Sequence, residues 1–292
     1  MVDAARKFEI SSSRSCIVCE ADENVELYPG ILKCSECGYV YADMQLTDEQ
    51  LLAIYSEAFF TGEEFNDYLS AEHLFRKNFR ARWKVLKRFV DKERHKNLLE
   101  IGSGYGFFLD EVREHFKSVE GIDITDAGVR YARNKFALDV VQGDFLARNY
   151  KDRKLDVVCM WDTIEHLRAP HEYVAKIADL TTSGALLAIT TADVDSLNSQ
   201  MRGRQWRMIH PPTHLHYFST ATIKRLLERY GFEVIYNRYC GFFRNVGNVA
   251  HSILVQRHRR EELFRKIEGT RLAKVGFYLN LYDIMYVIAR RR

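Results

Sequence analysis

The segment NLLEIGSGYGFFL, residues 97–109, decides how this chain of 292 residues is read. Its first five residues are a short apolar run, as expected of a strand covered on both faces. Its last residues open a helix, FFLDEVREHF. Between the two, Gly102, Gly104 and Gly106 permit a tight turn in which the backbone can approach a ligand with no Cβ in the way. The spacing is G-x-G-x-G, because Phe107 stands where G-x-G-x-x-G requires its third glycine, and that disfavours a nicotinamide dinucleotide. Glu100, just ahead of the glycines, would repel a pyrophosphate and suits a cationic ligand.

Strands and helices alternate toward the C-terminus. VEGID, the next strand, ends on Asp123, where a carboxylate can accept the ribose hydroxyls of an adenosine. The helix DAGVRYARNKF follows, with Asp126 as its expected cap. DVVQG is a third strand, and Asp144-Phe145 beyond it can take an adenine amino group and pack on its ring. LDVVCM, PHEYVAKIADL, ALLAITT, TATIKRLLERYG, FEVIYNR and DIMYVIA continue the alternation. The expected fold is therefore α/β, a Rossmann-like sheet of seven strands with helices on both faces. Residues 241–281 read as an amphipathic helical insertion before the last strand. Cys159 and Cys240 fall in apparent strands and are expected as small core residues.

Toward the N-terminus, residues 46–96 read as a helical linker and residues 1–45 as a cysteine module, leaving 97–292 for the α/β domain. Cys16-Ile-Val-Cys19 and Cys34-Ser-Glu-Cys37 are two C-x-x-C knuckles with the segment 20–33 between them. Four thiolates in that arrangement suit a closed, structural Zn²⁺ site in a small zinc ribbon. Two disulfides fit a reducing compartment poorly, and a redox C-x-x-C would not need a second copy.

The motifs LLEIGSGYGFFL, EGIDIT, GDF, LDVVCMWDTIEHLRAP and GALLAITT together resemble the ordered motifs of class I S-adenosylmethionine (SAM)-dependent methyltransferases. The resemblance runs from about Asn97 to Arg238 and resumes at DIMYVIA. It implies that Glu100, Gly102, Gly104 and Gly106 line the methionine part of SAM. Asp123 would hold the ribose and Asp144 with Phe145 the adenine, with Ile124 and Trp161 also at the cofactor. A zinc-binding module ahead of such a core resembles bacterial sugar C- and O-methyltransferases of polysaccharide and antibiotic pathways.

Methyl transfer to a hydroxyl or carbon needs positioning and a base. Two clusters offer one. Trp161-Asp162-Thr163-Ile164-Glu165-His166 follows the fourth strand, at the sheet edge where ligands lie. It is similar to a stretch of ubiquinone-pathway O-methyltransferases, whose acidic–x–x–Glu–His pattern can bind a divalent cation. Asp162, Glu165 and His166 fit it with Asp for Glu, and Glu165 and His166 could instead cap the following helix. In HPPTHLHYF (210–218), His214 and His216 would point the same way if the segment is extended. His166 is the favoured base, assisted by Glu165, with His214 and His216 orienting the acceptor. Arg202, Arg204, Trp206 and Arg207 just upstream suggest phosphate forks and a ring platform, hence a sugar phosphate or nucleotide-sugar as acceptor.

A composition of 47% hydrophobic and 28% charged residues with only 4 Pro excludes a disordered chain. The opening segment has no apolar leader and no run reaches a membrane span, so a cytoplasmic location is expected. His251–Arg292 carries ten Lys/Arg against four Asp/Glu, net +6, leaving −3 on the rest. That basic end could meet a membrane surface or nucleic acid, or be a solvated face. Neither an N-P-P-Y motif nor a cysteine nucleophile in a fitting loop is present, which argues against nucleic-acid methylation. A quinone-type O-methyltransferase and a non-enzymatic SAM-binding protein are the remaining alternatives.

Overall fold

In the computed structural model, residues 15–44, 46–47, 50, 54, 71–150, 153–257 and 260–292 are described. The chain opens with three strands, β1 (Asn24–Tyr28), β2 (Ile31–Cys34) and β3 (Val40–Ala42). Of the expected helical linker, α1 (Glu72–Leu86) is present, and most of residues 48–70 lie outside the described residues. Then come β4 (Asn97–Ile101), α2 (Phe107–Val112), β5 (Ser118–Asp123), α3 (Asp126–Phe136), β6 (Asp139–Gln142) and β7 (Leu155–Trp161). After β7 follow α4 (Pro170–Leu180), β8 (Thr181–Ala192), α5 (Leu197–Arg202), β9 (His216–Tyr217), α6 (Thr220–Arg229) and β10 (Phe232–Tyr239).

The insertion expected as helical carries α7 (Val246–His251), a π-helical turn (Ser252–Arg257) and α8 (Glu261–Glu268). A ribbon of β11 (Phe242–Asn245) against β12 (Gly276–Leu279) closes its base, and β13 (Ile284–Arg291) ends the chain. The main sheet has seven strands in the order β10-β13-β8-β7-β4-β5-β6. Every residue of β7 is buried, as expected of a central strand covered on both faces, and its one carboxylate, Asp156, accepts from the Lys96 and Asn97 N–H groups. β13 runs antiparallel to β10 and β8, so the sheet is mixed and not wholly parallel. The insertion leaves β10 after Tyr239 and returns at Ile284, at the same end of the sheet, so the two strands it joins pair antiparallel.

The cysteine module is sewn to the α/β domain. β1, β2 and β3 form a four-stranded sheet whose last member is β9, with Tyr41 opposite His216 and Val40 opposite Tyr217. Cys16, Val18, Cys34 and Tyr39 share one buried cluster with Phe218, Ile223 and Leu226 of the α/β domain. Arg229 on α6 donates to the Ile17 carbonyl and pairs with Glu20. Asp126 does not cap α3: it is the first helical residue, and Thr125 precedes it without a side-chain cap bond. Cys159 lies in buried β7, whereas Cys240 sits just past β10 and lines the cleft described next.

Candidate active site

The chain runs outward from β4 to β5 and β6, then returns to the other side of β4 at β7. Such a reversal leaves a crevice at the carboxyl ends of the strands. A cleft of about 2120 Å³ opens there, roomier than the roughly 300–1,000 Å³ of a single small-molecule site. Glu100, Gly102, Gly104, Asp123, Ile124, Asp144, Phe145, Trp161, Glu165, His166, His214 and His216 all line it. Gly106 does not. A Cβ there would meet Ala132 Cβ at 2.9 Å and Leu138 Cδ1 at 2.8 Å, so this glycine serves the packing of α3 on the turn.

At the turn, Gly102 and Gly104 have φ of +76° and +49°, which side-chain-bearing residues rarely adopt. The Gly104 N–H thereby donates to Asp123 Oδ2 at 2.7 Å, while the Thr125 N–H and Oγ1 reach Asp123 Oδ1 at 2.8 and 2.5 Å. A carboxylate has about four acceptor positions, so roughly one stays open for a ribose hydroxyl and not the pair. Glu100 is buried and its Oε2 has no hydrogen-bond partner. Burial, with Asp123 nearby, pushes its carboxyl well above the usual range. An unpaired buried carboxyl beside this turn suits a cationic ligand group. Ser103 Oγ and Trp161 Nε1 are likewise buried without partners, and Ser103 went unnoticed in the sequence.

Farther along, Asp144 Oδ1 accepts from Leu146 N–H at 2.8 Å and Tyr173 O–H at 2.6 Å. Phe145 is 1% exposed, wedged against Tyr150 and Tyr173, and forms the floor of this end.

The loop after β7 builds the opposite wall. Asp162 takes φ +50°, tolerable for Asp, and its carboxylate is bound by Arg82 Nη2 at 2.6 Å and Thr190 Oγ1 at 2.9 Å. Asp162 thus stands apart from the expected trio with Glu165 and His166, and His214 takes its place. Donor atoms of Glu165, His166 and His214 lie within 4.8 Å of one another. His166 Nδ1 meets the Thr213 carbonyl at 2.8 Å and His214 Nδ1 the Met208 carbonyl at 2.9 Å. A carbonyl can only accept, so each Nδ1 carries the proton and each Nε2 the lone pair. Burial lowers the pKa of His166, holds that of His214 well below the usual range and brings that of His210 down to about 4, so burial favours the neutral imidazole at all three. Burial and Asp162 raise Glu165 to about 8, with Thr191 Oγ1 donating to its Oε2 at 2.9 Å.

His214 and His216 do not act as a pair. His216 turns its Nδ1 to the Tyr39 hydroxyl and packs in a three-ring cluster with Tyr39 and Phe218, a seam between cysteine module and α/β domain. The arginine–tryptophan cluster is also rearranged. Trp206 is 1% exposed and its Nε1 donates to Asp283 at 3.0 Å, so its face is no platform. Arg207 is forked onto the same Asp283, Arg204 reaches the Pro29 carbonyl, and Arg202 bonds Asn198. Reasoning from sequence missed Arg82, on the buried face of α1, and Arg244, on β11.

The four cysteines meet at the other end of β9. Sγ atoms of Cys16 and Cys37, and of Cys19 and Cys34, are 3.5 Å apart, and all four lie within 4.8 Å. Bonds of about 2.3 Å to a tetrahedral zinc place sulfurs about 3.8 Å apart, so the cage fits.

A family model described as "Methyltransferase domain" matches residues 70–237. A Mycolicibacterium smegmatis protein named "probable S-adenosylmethionine-dependent methyltransferase" is 26% identical over 175 residues, 60% of this chain and 65% of the relative. Two Mycobacterium tuberculosis proteins with that description are 26% identical over 132 residues, 45% of this chain and 47% of their own length. The chain thus spans between about half and two thirds of the curated relatives it matches. Among solved structures, a SAM-dependent methyltransferase from Archaeoglobus fulgidus aligns with a TM-score of 0.52 at 20% identity, covering 77% of this chain and 99% of that one.

Proposed function

The chain belongs to the class I SAM-dependent methyltransferase family, and from that premise we propose that it methylates a hydroxyl or carbon of a small metabolite. A nucleotide-linked or otherwise phosphorylated sugar is the favoured acceptor. The observation that carries the reading is the orphaned Glu100 carboxyl beside the Gly102–Gly104 turn and Asp123, a cradle for one cationic, ribose-bearing molecule. When bound, SAM supplies an electrophilic methyl on a sulfonium. Glu100 would hold its ammonium group, Asp123 a ribose hydroxyl and Asp144 the adenine edge. Trp161, held edge-on between Phe108 and Tyr286 at centroid distances of 5.0 and 5.4 Å, would help keep water from the bound cofactor. His166 Nε2 takes the proton of the acceptor hydroxyl or carbon acid, and the Thr213 carbonyl fixes the tautomer that lets it do so.

Calorimetry with S-adenosylhomocysteine tests the cradle. Asp123→Ala removes one charge-assisted hydrogen bond to the ligand, worth about 1.5–3 kcal/mol, so affinity is expected to fall roughly 10- to 150-fold. Binding of NAD in place of S-adenosylhomocysteine by the unaltered protein would overturn the reading.

A second reading of the acceptor wall has its own observation, the convergence of Glu165, His166 and His214. Two imidazoles anchored through Nδ1 on carbonyls, plus one carboxylate, are a donor set for a divalent transition metal. The metal would supply a Lewis acid to the acceptor oxygen. Dialysis against a chelator that spares the zinc module distinguishes the two: turnover lost and restored by Mn²⁺ or Fe²⁺ selects the metal, and unchanged turnover selects the histidine base. The Cys16, Cys19, Cys34 and Cys37 cage is proposed to hold one structural Zn²⁺. No helix among the described residues is long and apolar enough to cross a membrane.

A further inference from the structure

We propose that Arg244 is the anion-recognising residue of the acceptor subsite, gripping a phosphate or carboxylate oxyanion carried by the molecule to be methylated. The proposal rests on the methyltransferase reading above and deepens it by naming a charge the acceptor must bear.

Arg82, Arg168, Arg202, Arg207 and Arg244 line the cleft, and Arg82, Arg207 and Arg244 share the neighbourhood of Asp162 and Asp283. Arg82 is bound to Asp162 at 2.6 Å. Arg207 is forked onto Asp283, with Nη2 on Oδ1 at 2.9 Å. Each of these cations therefore has its own carboxylate. Arg244, on β11, lines the same cleft, and its side chain makes no hydrogen bond or ion pair with any described residue. What it does meet is the face of Phe242, 5.8 Å from its guanidinium carbon. The carboxylates within its electrostatic reach are Asp162 and Asp283, the two already taken, and Arg207 repels it.

The acceptor end is thus left with a half-buried positive charge that no carboxylate of its own answers. Burial lowers the Arg244 pKa, with Arg207 adding to the effect. Withdrawing a cation from water is unfavourable unless a partner anion compensates, and here the described residues supply none. A planar guanidinium held against an aromatic face presents its N–H fork edgewise, the geometry that takes an oxyanion in a bidentate manner. One turn on, Asn248 lines the same cleft and keeps its Oδ1 buried without a partner. An oxyanion next to a hydroxyl donor would satisfy both, and a phosphorylated sugar or a hydroxy acid carries that pair.

The ribbon at the base of the insertion gives this position its rigidity. β11 is pinned to α1 through Asn78, whose Nδ2 donates to the Phe243 carbonyl at 3.3 Å and whose Oδ1 accepts from the Phe243 N–H at 2.5 Å. Both backbone groups of Phe243 are tied to α1 in this way, and Phe242 and Arg244, two residues apart, share one face of the strand. Arg82, on the same helix as Asn78, lies 5.0 Å from the Phe242 ring. Arg244 is therefore held on a braced strand.

The test is titration calorimetry of the full chain saturated with S-adenosylhomocysteine, using inorganic pyrophosphate, succinate and neutral methyl glucoside as probes. One of the two anions is expected to bind at least tenfold better than the glucoside, pyrophosphate marking a phosphate acceptor and succinate a carboxylate. Arg244→Gln is expected to cut that binding tenfold or more and to leave S-adenosylhomocysteine affinity unchanged. Arg204→Gln, an exposed arginine bonded to the Pro29 carbonyl, is expected to change neither. Equal anion affinity in the parent and Arg244→Gln, or no preference for anions over the glucoside, overturns the assignment of Arg244. Failure of the parent protein to bind S-adenosylhomocysteine at all would instead sink the methyltransferase reading, so the two failures are separable.

Discussion

Replacing His166 by alanine is expected to lower methyl-transfer turnover by about 10²–10⁴-fold while S-adenosylhomocysteine affinity and melting temperature stay near those of the parent. The expectation follows from where the ring sits. His166 closes the 3-10 turn Ile164–His166 after β7, and its Nδ1 bond to Thr213 costs one hydrogen bond when lost. That loss is on the order of 0.5–1.5 kcal/mol of stability. The ring packs at right angles on His214, 4.6 Å between centroids, and the glycine turn and Asp123 do not depend on it. Single-turnover assays over a panel of nucleotide-sugars, with calorimetry and thermal melts alongside, check the split. A variant that melts early and loses activity in proportion would assign His166 to architecture. A variant with near-normal turnover would move the proton acceptor to His214.

Part of this was legible in the sequence, for identifiable reasons. Periodicity and glycine placement are local properties, so β4, the turn, β5 and β7 could be read directly, as could Glu100 and Asp123 at the ends of their strands. The cysteine cage was legible because metal-ligand spacing is local too. Pairings across long separations were not. Asp162 is taken by Arg82, from a helix ahead of the sheet, and His214 joins His166 from beyond β8; both depend on tertiary packing. Trp206 looked like an exposed platform because an aromatic among arginines is ambiguous; Asp283, far along the chain, decides that it is buried. Arg244 lay within a segment read as helix, and the pleat of a strand is what aims it. The pairing of β3 with β9 joins the N-terminal module to a segment beyond β8, and nothing in either stretch announces the partner.

That last pairing sets the second large effect. Cys34→Ser is expected to release the zinc, lower the melting temperature of the whole chain, and reduce turnover to background at temperatures where S-adenosylhomocysteine still binds. A structural zinc contributes on the order of 10–16 kcal/mol of apparent binding energy in small modules, enough for its loss to unfold the cysteine module. Without it, β2 loses Cys34 from its end and the short strand β3 loses the neighbour that holds it against β9. Tyr39 then releases His216, and the Ala42 N–H releases the Leu215 carbonyl at 2.9 Å. Leu215 N–H is itself bonded to the Glu165 carbonyl at 2.9 Å, so the disturbance passes directly to the acceptor wall. The cradle on β4 and β5 is reached through none of these bonds, which is why cofactor binding should outlast catalysis. Metal analysis, thermal melts and calorimetry on the same preparation of the variant decide the matter. Zinc absent with turnover intact would show that the module and the acceptor wall are uncoupled; zinc absent from the parent, prepared without chelators, would remove the metal from the account altogether.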